Sequence, residues 1–457
     1  MGSMTQIPQN YKNNVDWIIG AYEDAGVTFP NGFQKDAIQN AVGARKNSKW
    51  KNWACDISVI ENENGRFVVV EDFGTMGLTG NNTPAEEIDK MMAEGKNLPA
   101  SERLSRFTSM FNSGGNKTGG GLFGAGKSVV ASKTYTYYFD SLREDGRYVA
   151  NVNKCGRVMS VALEDKEAVE YIYEKTGLSP KNTQGTRVII QCPKEELVNS
   201  IMDGSIIPFI QESWWLIIQR LDEGAAISVN HKRVEVPSDI KDATHVFELQ
   251  NPESYVASYK VKHFGLYVFE DGSNRWQGIS YYRKGMKIGE VDIKDVPDKL
   301  RGKFWGYIEV DEEWEDGLSE IEDKVHFGVS KGRKGRVSYQ NLKNYCNEKT
   351  KANLIEWGYI KDHENEDRKL RDELKKIAEE VQELFDDLGF EDLGKGPQKA
   401  DFDVRWQDIK YPISGTERVT SGDEIKFAMR IKSSYATDKR FEYKLYVLNP
   451  STGTIVS

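Results

Sequence analysis

The stretch that decides the fold is Gly121-Leu122-Phe123-Gly124-Ala125-Gly126-Lys127-Ser128-Val129-Val130, which follows a further glycine pair at positions 119 and 120. Glycines of this density let backbone N–H groups approach phosphate oxygens at the start of a helix. The run therefore predicts a binding site for a nucleotide phosphate. By itself it does not decide which nucleotide-binding fold carries that site.

An acid and an amide lie upstream in Asp36-Ala37-Ile38-Gln39-Asn40. Apolar residues recur at helical spacing from Phe33 to Val42, which predicts an amphipathic helix over 34–45. Residues four apart lie on the same face of a helix. Asp36 can activate a water molecule there, and the amide oxygen of Asn40 suits the hard cation Mg²⁺.

Two further motifs stand at the ends of predicted strands. The first is Val70-Glu71-Asp72-Phe73-Gly74-Thr75-Met76-Gly77, directly after the second strand of a hairpin predicted around positions 62–65. Its carboxylate can accept a hydrogen bond from an exocyclic amine, while the glycines let the backbone turn close to a flat base. The second is Gln184-Gly185-Thr186, which places a hydroxyl at the entry of a strand over 186–191.

In this order the four motifs resemble the N box, the two glycine boxes and the closing Gly-Thr of the GHKL ATPases. That superfamily includes gyrase B subunits, MutL proteins, heat-shock chaperones of the ninety-kilodalton class and sensor histidine kinases. The resemblance covers about residues 25 to 195 and implies an α+β chain that opens with a GHKL (Bergerat) α/β sandwich. It also implies ATP and Mg²⁺ as cofactors and a magnesium-dependent ATPase activity.

The resemblance assigns a role to each matching position. Asp36 falls on the general base, Asn40 on the Mg²⁺ ligand, and Asp72 on the acid that binds the adenine amine with the support of Thr186. The remaining cofactor-binding positions that it implies are Gly74, Gly77, Gly121, Leu122, Phe123, Gly124, Ala125, Gly126, Lys127 and Ser128. Asp36 stands where the family has glutamate, one methylene longer, so slow turnover is expected. The first glycine box reads D-x-G-x-x-G where D-x-G-x-G is usual, so its turn is expected to differ by one residue.

Gly121 to Ser128 also fits G-x-x-x-x-G-K-S, the phosphate loop of P-loop NTPases. That motif needs a buried strand immediately before it, whereas residues 112–120 are glycine and polar. The other three motifs have no role in a P-loop fold, so the P-loop alternative is less favoured.

Composition shifts divide the chain into four segments. The predicted domains are a GHKL domain over 1–225, a transducer-like α+β domain over 226–345, a helical or coiled-coil connector over 346–395, and a partial immunoglobulin-like β-sandwich over 396–457. The connector has a heptad seam from Leu370 to Leu388, which fits either one packed helix or a coiled coil. The last segment has too few strands to close a sandwich, so the chain is expected to be cut from a longer protein. The glycine-rich stretch from Gly77 to Gly121 is a candidate lid.

A second domain directly after the ATPase domain resembles the transducer arrangement of gyrase B, MutL and MORC-type proteins. There a lysine reaches the γ-phosphate, and Lys324 is the chosen candidate, with Lys331 and Lys334 as alternatives. Residues 281–287 predict either a hairpin or a small basic contact surface in the same domain. The sequence has five histidines, all after Gln34, so a phosphoacceptor histidine before the N box is absent and a histidine kinase is not expected.

Two classes of function stay open. One is an ATP-gated clamp that forms a homodimer and works with DNA or a DNA-acting protein, in bacterial DNA processing or defence such as antiviral defence. The other is a chaperone-like or regulatory ATPase that acts on a protein partner. The net charge of −9 argues against general binding to a phosphate backbone. Four cysteines without C-x-x-C pairing predict a reducing cytoplasm, and the short apolar runs predict no membrane span.

Overall fold

The computed structural model describes residues 4–6, 23–24, 26–46, 50–94, 96, 98–99, 101–108, 136–154, 157–250, 252, 255–256, 259–272, 275–293, 296–310, 333–361, 401–407, 412–413, 416–417 and 426–432. The chain forms two compact units, Met1–Lys361 and Asp362–Ser457. None of the helices in these residues combines the length and the hydropathy that crossing a bilayer requires.

The first unit contains a mixed sheet, which has ten strands in the described residues. They are β1 (Met4–Gln6), β2 (Ala54–Asn62), β3 (Gly65–Phe73), β4 (Thr136–Leu142), β5 (Tyr148–Lys154), β6 (Arg157–Met159), β7 (Leu163–Glu164), β8 (Gly185–Gln191), β9 (Ala226–Val229) and β10 (Lys232–Arg233). Their order is β1-β6-β5-β4-β8-β3-β2-β9-β10, and β7 pairs with β5. Every pair is antiparallel except β2 with β9, which is parallel.

The predicted hairpin is confirmed, because β2 and β3 pair from Ala54 opposite Phe73 to Asn62 opposite Gly65. The strand predicted over 186–191 is also confirmed, as β8, and β4 pairs antiparallel with β5 across the turn between Leu142 and Tyr148. Both faces of β3 are buried, since Val68 and Val70 face one core and Phe67 and Val69 another. A strand covered on both faces gives a continuous apolar run instead of alternation.

Helices cover both faces of the first sheet. In the described residues of the first unit they are α1 (Phe29–Gly43), α2 (Ala85–Ala93), α3 (Arg103–Thr108), α4 (Asp165–Thr176), α5 (Glu195–Met202), α6 (Ile207–Arg220) and α7 (Arg333–Glu356). α1 begins five residues before the predicted start, with Pro30 in its first turn, where a missing N–H costs nothing. It packs between β2, β3, α5 and α6, so even its polar residues Lys35 and Asp36 are buried. α4 packs on the opposite face.

A second sheet follows in the same unit. Its strands are β11 (His245–Gln250), β12 (Tyr255–Val256), β13 (Tyr259–Val268), β14 (Gly278–Arg283), β15 (Met286–Val291) and β16 (Phe304–Val310), in the order β11-β13-β16-β14-β15 with β12 beside β13. The hairpin alternative for residues 281–287 is confirmed, since Arg283 lies opposite Met286. The basic-surface alternative is wrong, because Arg283 and Lys284 are buried in the fold.

α6 packs against both sheets. Trp214 and Ile217 enter the core shared with α1, whereas Trp215 and Leu216 join an aromatic cluster on the second sheet with Tyr267, Trp276, Trp305 and Tyr307. At its C-terminal end Arg220 pairs with the fully buried Glu309 of β16, at 2.6 Å. Glu309 also accepts the backbone N–H of Gly285, at 2.8 Å.

The observed elements cross two predicted boundaries. Strands β9 and β10 lie after position 225 but pair in the first sheet, so the change of sheet falls between Arg233 and His245. α7 runs across position 345, and its Leu342, Cys346 and Leu354 pack into the core of the first unit. The segment predicted as a connector is therefore helical as expected up to Glu356, but it is docked.

The second unit contains strand pairs in its described residues. β17 (Asp401–Gln407) pairs antiparallel with β20 (Lys426–Lys432), and β18 (Pro412–Ile413) pairs with β19 (Thr416–Glu417). The heptad seam from Leu370 to Leu388 and the rest of the predicted β-sandwich lie outside the described residues. The sandwich and the coiled coil stay predictions.

Candidate functional site

A buried carboxylate marks the end of β3. Asp72 is 9 % exposed, and its Oδ1 accepts the backbone N–H of Thr186 at 2.9 Å and the hydroxyl of Thr75. Among the described residues, no group donates a hydrogen bond to its other oxygen, Oδ2. A buried carboxylate normally has its acceptor sites filled. Within the described part of the chain, Oδ1 is thus engaged by the fold and Oδ2 is not.

The surroundings of Asp72 act on the pKa of its carboxyl in opposite directions. Burial raises the pKa of the Asp72 carboxyl, while Lys181 and the bonds from Thr75 and Thr186 pull it down and Glu71 raises it. The net direction is upward, so the carboxylate is poorly solvated for an ionised group. Its hydrogen-bonding power toward a donor is correspondingly high.

The two glycines predicted after Asp72 are required by the backbone. Gly74 and Gly77 both have φ of +68°. A Cβ at Gly74 would lie 2.1 Å from the carbonyl oxygen of Asn52, and one at Gly77 would lie 2.7 Å from Oγ of Ser141. The extra residue in D-x-G-x-x-G is accommodated at Thr75, which bridges to Arg45 while its hydroxyl bonds to Asp72.

Thr186 lies beside Asp72 as predicted, but its contact is made by the backbone. Its N–H binds Asp72, whereas its hydroxyl lies 3.3 Å from Oγ of Ser141. Ser141 also accepts the N–H of Leu78 at 2.9 Å and donates to the carbonyl of Gly185 at 2.9 Å. Ser141 thus ties β4, β8 and the turn after Asp72 together. No motif pointed to it, because a serine inside a strand carries no local signal.

The helix that carries the predicted base and metal ligand ends against this turn. The N–H of Met76 donates to the carbonyl of Ala44 at 3.3 Å, just beyond the last residue of α1. Asp36 is 3 % exposed and has partners in the fold, whereas Asn40, one turn later, is exposed. The turn after β3 therefore contacts the chain at residues 44 and 45, just after the C-terminal end of α1.

Several charged residues behind Asp72 were not predicted from the sequence. The ammonium of Lys181 lies in the loop before β8, bonds to Glu71 at 2.5 Å and lies 3.1 Å from the carbonyl oxygen of Asp72. On β8, Arg187 forms a two-point pair with the fully buried Asp140, at 3.0 and 2.5 Å. Burial favours a lower pKa for Arg187, but Asp140 outweighs it and the pKa is raised.

Arg103 of α3 brings a cation toward Asp72 from the candidate lid. Burial lowers the pKa of its guanidinium, Arg106 lowers it further, and the Asp72 carboxylate opposes both. Leu104 next to it donates its N–H to the carbonyl of Thr79 at 2.9 Å, so α3 is fastened to the turn after β3. The described part of the candidate lid, up to Thr108, contains the helices α2 and α3.

The other predicted site residues lie outside the described residues. They are the phosphate-loop positions Gly121 to Ser128 and the lysines Lys324 and Lys331; the side chain of Lys334 lies outside as well. Among the described residues, no group of three or more His, Cys, Asp or Glu side chains is placed to hold a metal ion. Mg²⁺ commonly takes one or two protein oxygens and completes its shell with water and phosphates. The exposed amide of Asn40 fits that single-ligand pattern.

Similarity to known proteins is found at the level of structure. No protein-family model matches it, and no curated protein matches it. Among solved structures it is similar to the 43K ATPase domain of Thermus thermophilus gyrase B, solved in complex with an aminocoumarin. The two chains share 15 % identity with a TM-score of 0.36, over 77 % of this chain and 92 % of that one. The fold described above rests on its own sheet order and contacts.

We expect Asp72→Asn to increase the free energy of unfolding of the ligand-free chain at pH 8 but not at pH 4. A carboxyl whose pKa is raised by folding favours the folded state below its unfolded pKa, and this contribution is lost as pH rises through the folded pKa. The amide keeps an acceptor for Thr186 and does not ionise. Urea unfolding across this pH range measures the difference. The control Asp298→Asn, at an exposed position, should show no such trend. A variant less stable than the wild type at pH 8 would contradict the expectation.

Proposed function

We propose that the chain binds ATP at the end of β3 and hydrolyses it slowly with Mg²⁺, in the manner of a GHKL ATPase. The observation that supports this most directly is the open Oδ2 of a buried, hydrogen-bonded Asp72. An exocyclic amine is the donor that such an oxygen fits. Adenine presents an amine at the position where guanine presents a carbonyl.

The remaining roles follow the resemblance. Asp36 orients the attacking water, and Asn40 gives an amide oxygen to the Mg²⁺ that the phosphates share. Gly121 to Ser128 supply backbone N–H groups to the phosphates, and Lys324 reaches the γ-phosphate. The packing of α1 on β3, and the contact between the end of α1 and the turn after β3, support this assignment because they put the helix of the proposed base and metal ligand next to the strand of Asp72. In a P-loop NTPase, Asp72 and its glycine turn would have no such task.

The proposed output is a nucleotide-driven change of shape that pairs two copies of the chain. A continuous set of contacts supports such coupling. Gln34 of α1 accepts from the indole N–H of Trp214 at 3.0 Å and donates to Ser213 at 3.0 Å, both on α6. The opposite face of α6 packs Trp215 into the second sheet. A displacement of α1 on nucleotide binding would thus be felt by the second sheet.

The partner in this proposal is DNA or a DNA-acting protein, in DNA processing or defence. A chaperone-like or regulatory action on a protein is the second candidate. It draws on the acidic net charge of −9, which disfavours binding to a phosphate backbone. A DNA shift assay at several salt concentrations separates the two.

We expect the wild-type chain to bind ATP much more tightly than GTP, because guanine presents an acceptor to Oδ2. Asp72→Asn should weaken ATP by about 1–3 kcal/mol, the cost of disrupting a charged hydrogen bond in a buried site. Isothermal titration with both nucleotides measures this, with Asp298→Asn as a variant that leaves affinity unchanged. Equal affinities for ATP and GTP in the wild type would refute the adenine site.

Removal of the proposed base should separate turnover from binding. Asp36→Ala is expected to lower the rate of ATP hydrolysis by about 10²–10⁴, the usual contribution of a general base, with ATP affinity changed only a few fold. Because Asp36 is buried, the isosteric Asp36→Asn is the companion variant and should behave alike. Steady-state phosphate release and nucleotide titration give the two quantities. Full turnover in a folded Asp36→Asn chain would remove Asp36 from the chemistry.

A non-hydrolysable ATP analogue should shift the chain toward a dimer, whereas ADP should not. The reason is that only a γ-phosphate completes the contacts that order the lid and align the paired surfaces. Sedimentation velocity without nucleotide, with ADP and with the analogue compares the three states at one protein concentration. Asp72→Asn at a subsaturating analogue concentration is the matched control and should stay unshifted. Three identical sedimentation profiles for the wild type would count against a nucleotide-gated dimer.

A further inference from the structure

A lysine completely withdrawn from solvent lies behind the proposed adenine site. The side chain of Lys181 is 0 % exposed. Its ammonium bonds to the carboxylate of Glu71, lies 3.1 Å from the carbonyl oxygen of Asp72, and lies 4.5 Å from the centre of the Phe73 ring. Three successive residues at the end of β3 are therefore held by one cation.

The loop that carries Lys181 is itself fixed. Its backbone N–H donates to the hydroxyl of Tyr148 at 3.3 Å, and that hydroxyl bonds to Asp140, the partner of Arg187. Further along, the carbonyl of Gln184 accepts the N–H of Gly74 at 3.0 Å. The position of the ammonium is thus determined from both sides. A lysine that only filled space would not need this support, since methionine fills the same volume.

We propose that Lys181 is a positioning residue that keeps Asp72 in its ionised form and thereby sets the preference of the site for a base with an amine donor. This inference rests on the proposed function and deepens it. An ionised carboxylate is an acceptor only, whereas a protonated one also donates. A protonated Asp72 would therefore offer a donor to the carbonyl of guanine and a weaker acceptor to the amine of adenine.

Among the charged groups around Asp72, Lys181 is the one that lowers the pKa of its carboxyl most. Lys181 is the strongest influence that lowers the pKa of Asp72, against burial and against Glu71, which raise it. Arg103 of α3 faces Asp72 from the lid side, and the thiol of Cys55, opposite Asp72 on β2, is held neutral because burial and the nearby carboxylates raise its pKa. Without Lys181, desolvation would act on Asp72 with less opposition.

The test compares ATP and GTP affinities between pH 5 and pH 8 in variants of the full chain. Lys181→Met removes the charge and nearly conserves the volume. We expect the pH at which the ATP-to-GTP affinity ratio falls to move upward, so that at a fixed pH above the wild-type midpoint the ratio is lower in the variant; each pH unit of movement lowers it by up to about tenfold. The nucleotides titrate in the same way in every variant, so differences between variants report on the protein.

Two companion variants distinguish a role in ionisation from a role in folding. Glu71→Gln removes a carboxylate that opposes ionisation of Asp72, so it should move the midpoint downward, opposite to Lys181→Met. Damage to the loop would move both variants in the same direction. Asp72→Asn has no titratable group at position 72, so its ATP-to-GTP affinity ratio should lack the pH-dependent fall of the wild type. Lys166→Met, at an exposed position of α4, controls for loss of one positive charge and should match the wild type.

The outcomes are separable. A Lys181→Met chain that binds ATP with the wild-type pH profile overturns the inference and leaves the adenine site standing. If Lys181→Met does not fold, the Glu71→Gln profile decides, and an unmoved midpoint there overturns the inference. A wild-type chain that binds neither nucleotide overturns the proposed function itself.

Discussion

The interaction on which the site depends is the bond from the backbone N–H of Thr186 to the carboxylate of Asp72. The ladder between β3 and β8 runs from Phe67 opposite Gln191 to Glu71 opposite Arg187. At the next position, the N–H of Thr186 donates to the side-chain carboxylate of Asp72, where a regular ladder would use a backbone carbonyl as the acceptor. The regular ladder ends here, and the chain turns at Gly74, whose N–H donates to the carbonyl of Gln184 at 3.0 Å. The Thr186 N–H stays paired, as a buried backbone group requires.

A second constraint comes from α6, which has no solvent-facing side along much of its length. Trp214 and Trp215 are adjacent in sequence, so they point to different faces of the helix and enter different cores. Because protein interiors are close-packed and transmit strain, a shift of this helix would strain both sheets. The hydrogen bond from Trp214 to Gln34 fixes the rotation of α6 about its axis relative to α1. Arg220 with Glu309 fixes the far end, and breaking a pair of this burial costs about 3–5 kcal/mol.

These contacts show which features a sequence can predict. The hairpin at positions 62–65 and the end of β3 at Asp72 were predicted because turn residues and apolar runs are local signals. α6 was missed because a helix buried between two sheets shows no polar stripe, so Trp214 to Ile218 read only as an apolar run. Lys181, Ser141 and Arg103 were missed for another reason. The place of each in the site depends on partners far along the chain, such as Glu71 for Lys181. The sequence around a loop lysine gives no signal that its side chain is buried. The predicted boundary at position 225 failed because β9 pairs with β2, a contact made across the length of the domain.

The charges at the end of β3 are hard to explain by stability alone. Taking Lys181, Arg187, Asp140 and Asp72 out of water costs on the order of several kcal/mol for each buried ion, and apolar side chains of similar volume commonly stabilise a fold as well or better. Arg187 and Asp140 satisfy each other at two points, and Lys181 satisfies Glu71 and a backbone carbonyl. Within this network Asp72 differs, since only one of its oxygens is engaged by the described residues. In the proposed function, the acceptor that no described residue fills, next to a turn that tolerates no Cβ, is the one that the exocyclic amine of adenine would fill. On that proposal the paired ions would fix the position of Asp72, and Lys181 would oppose the effect of burial on its pKa, before the ligand binds.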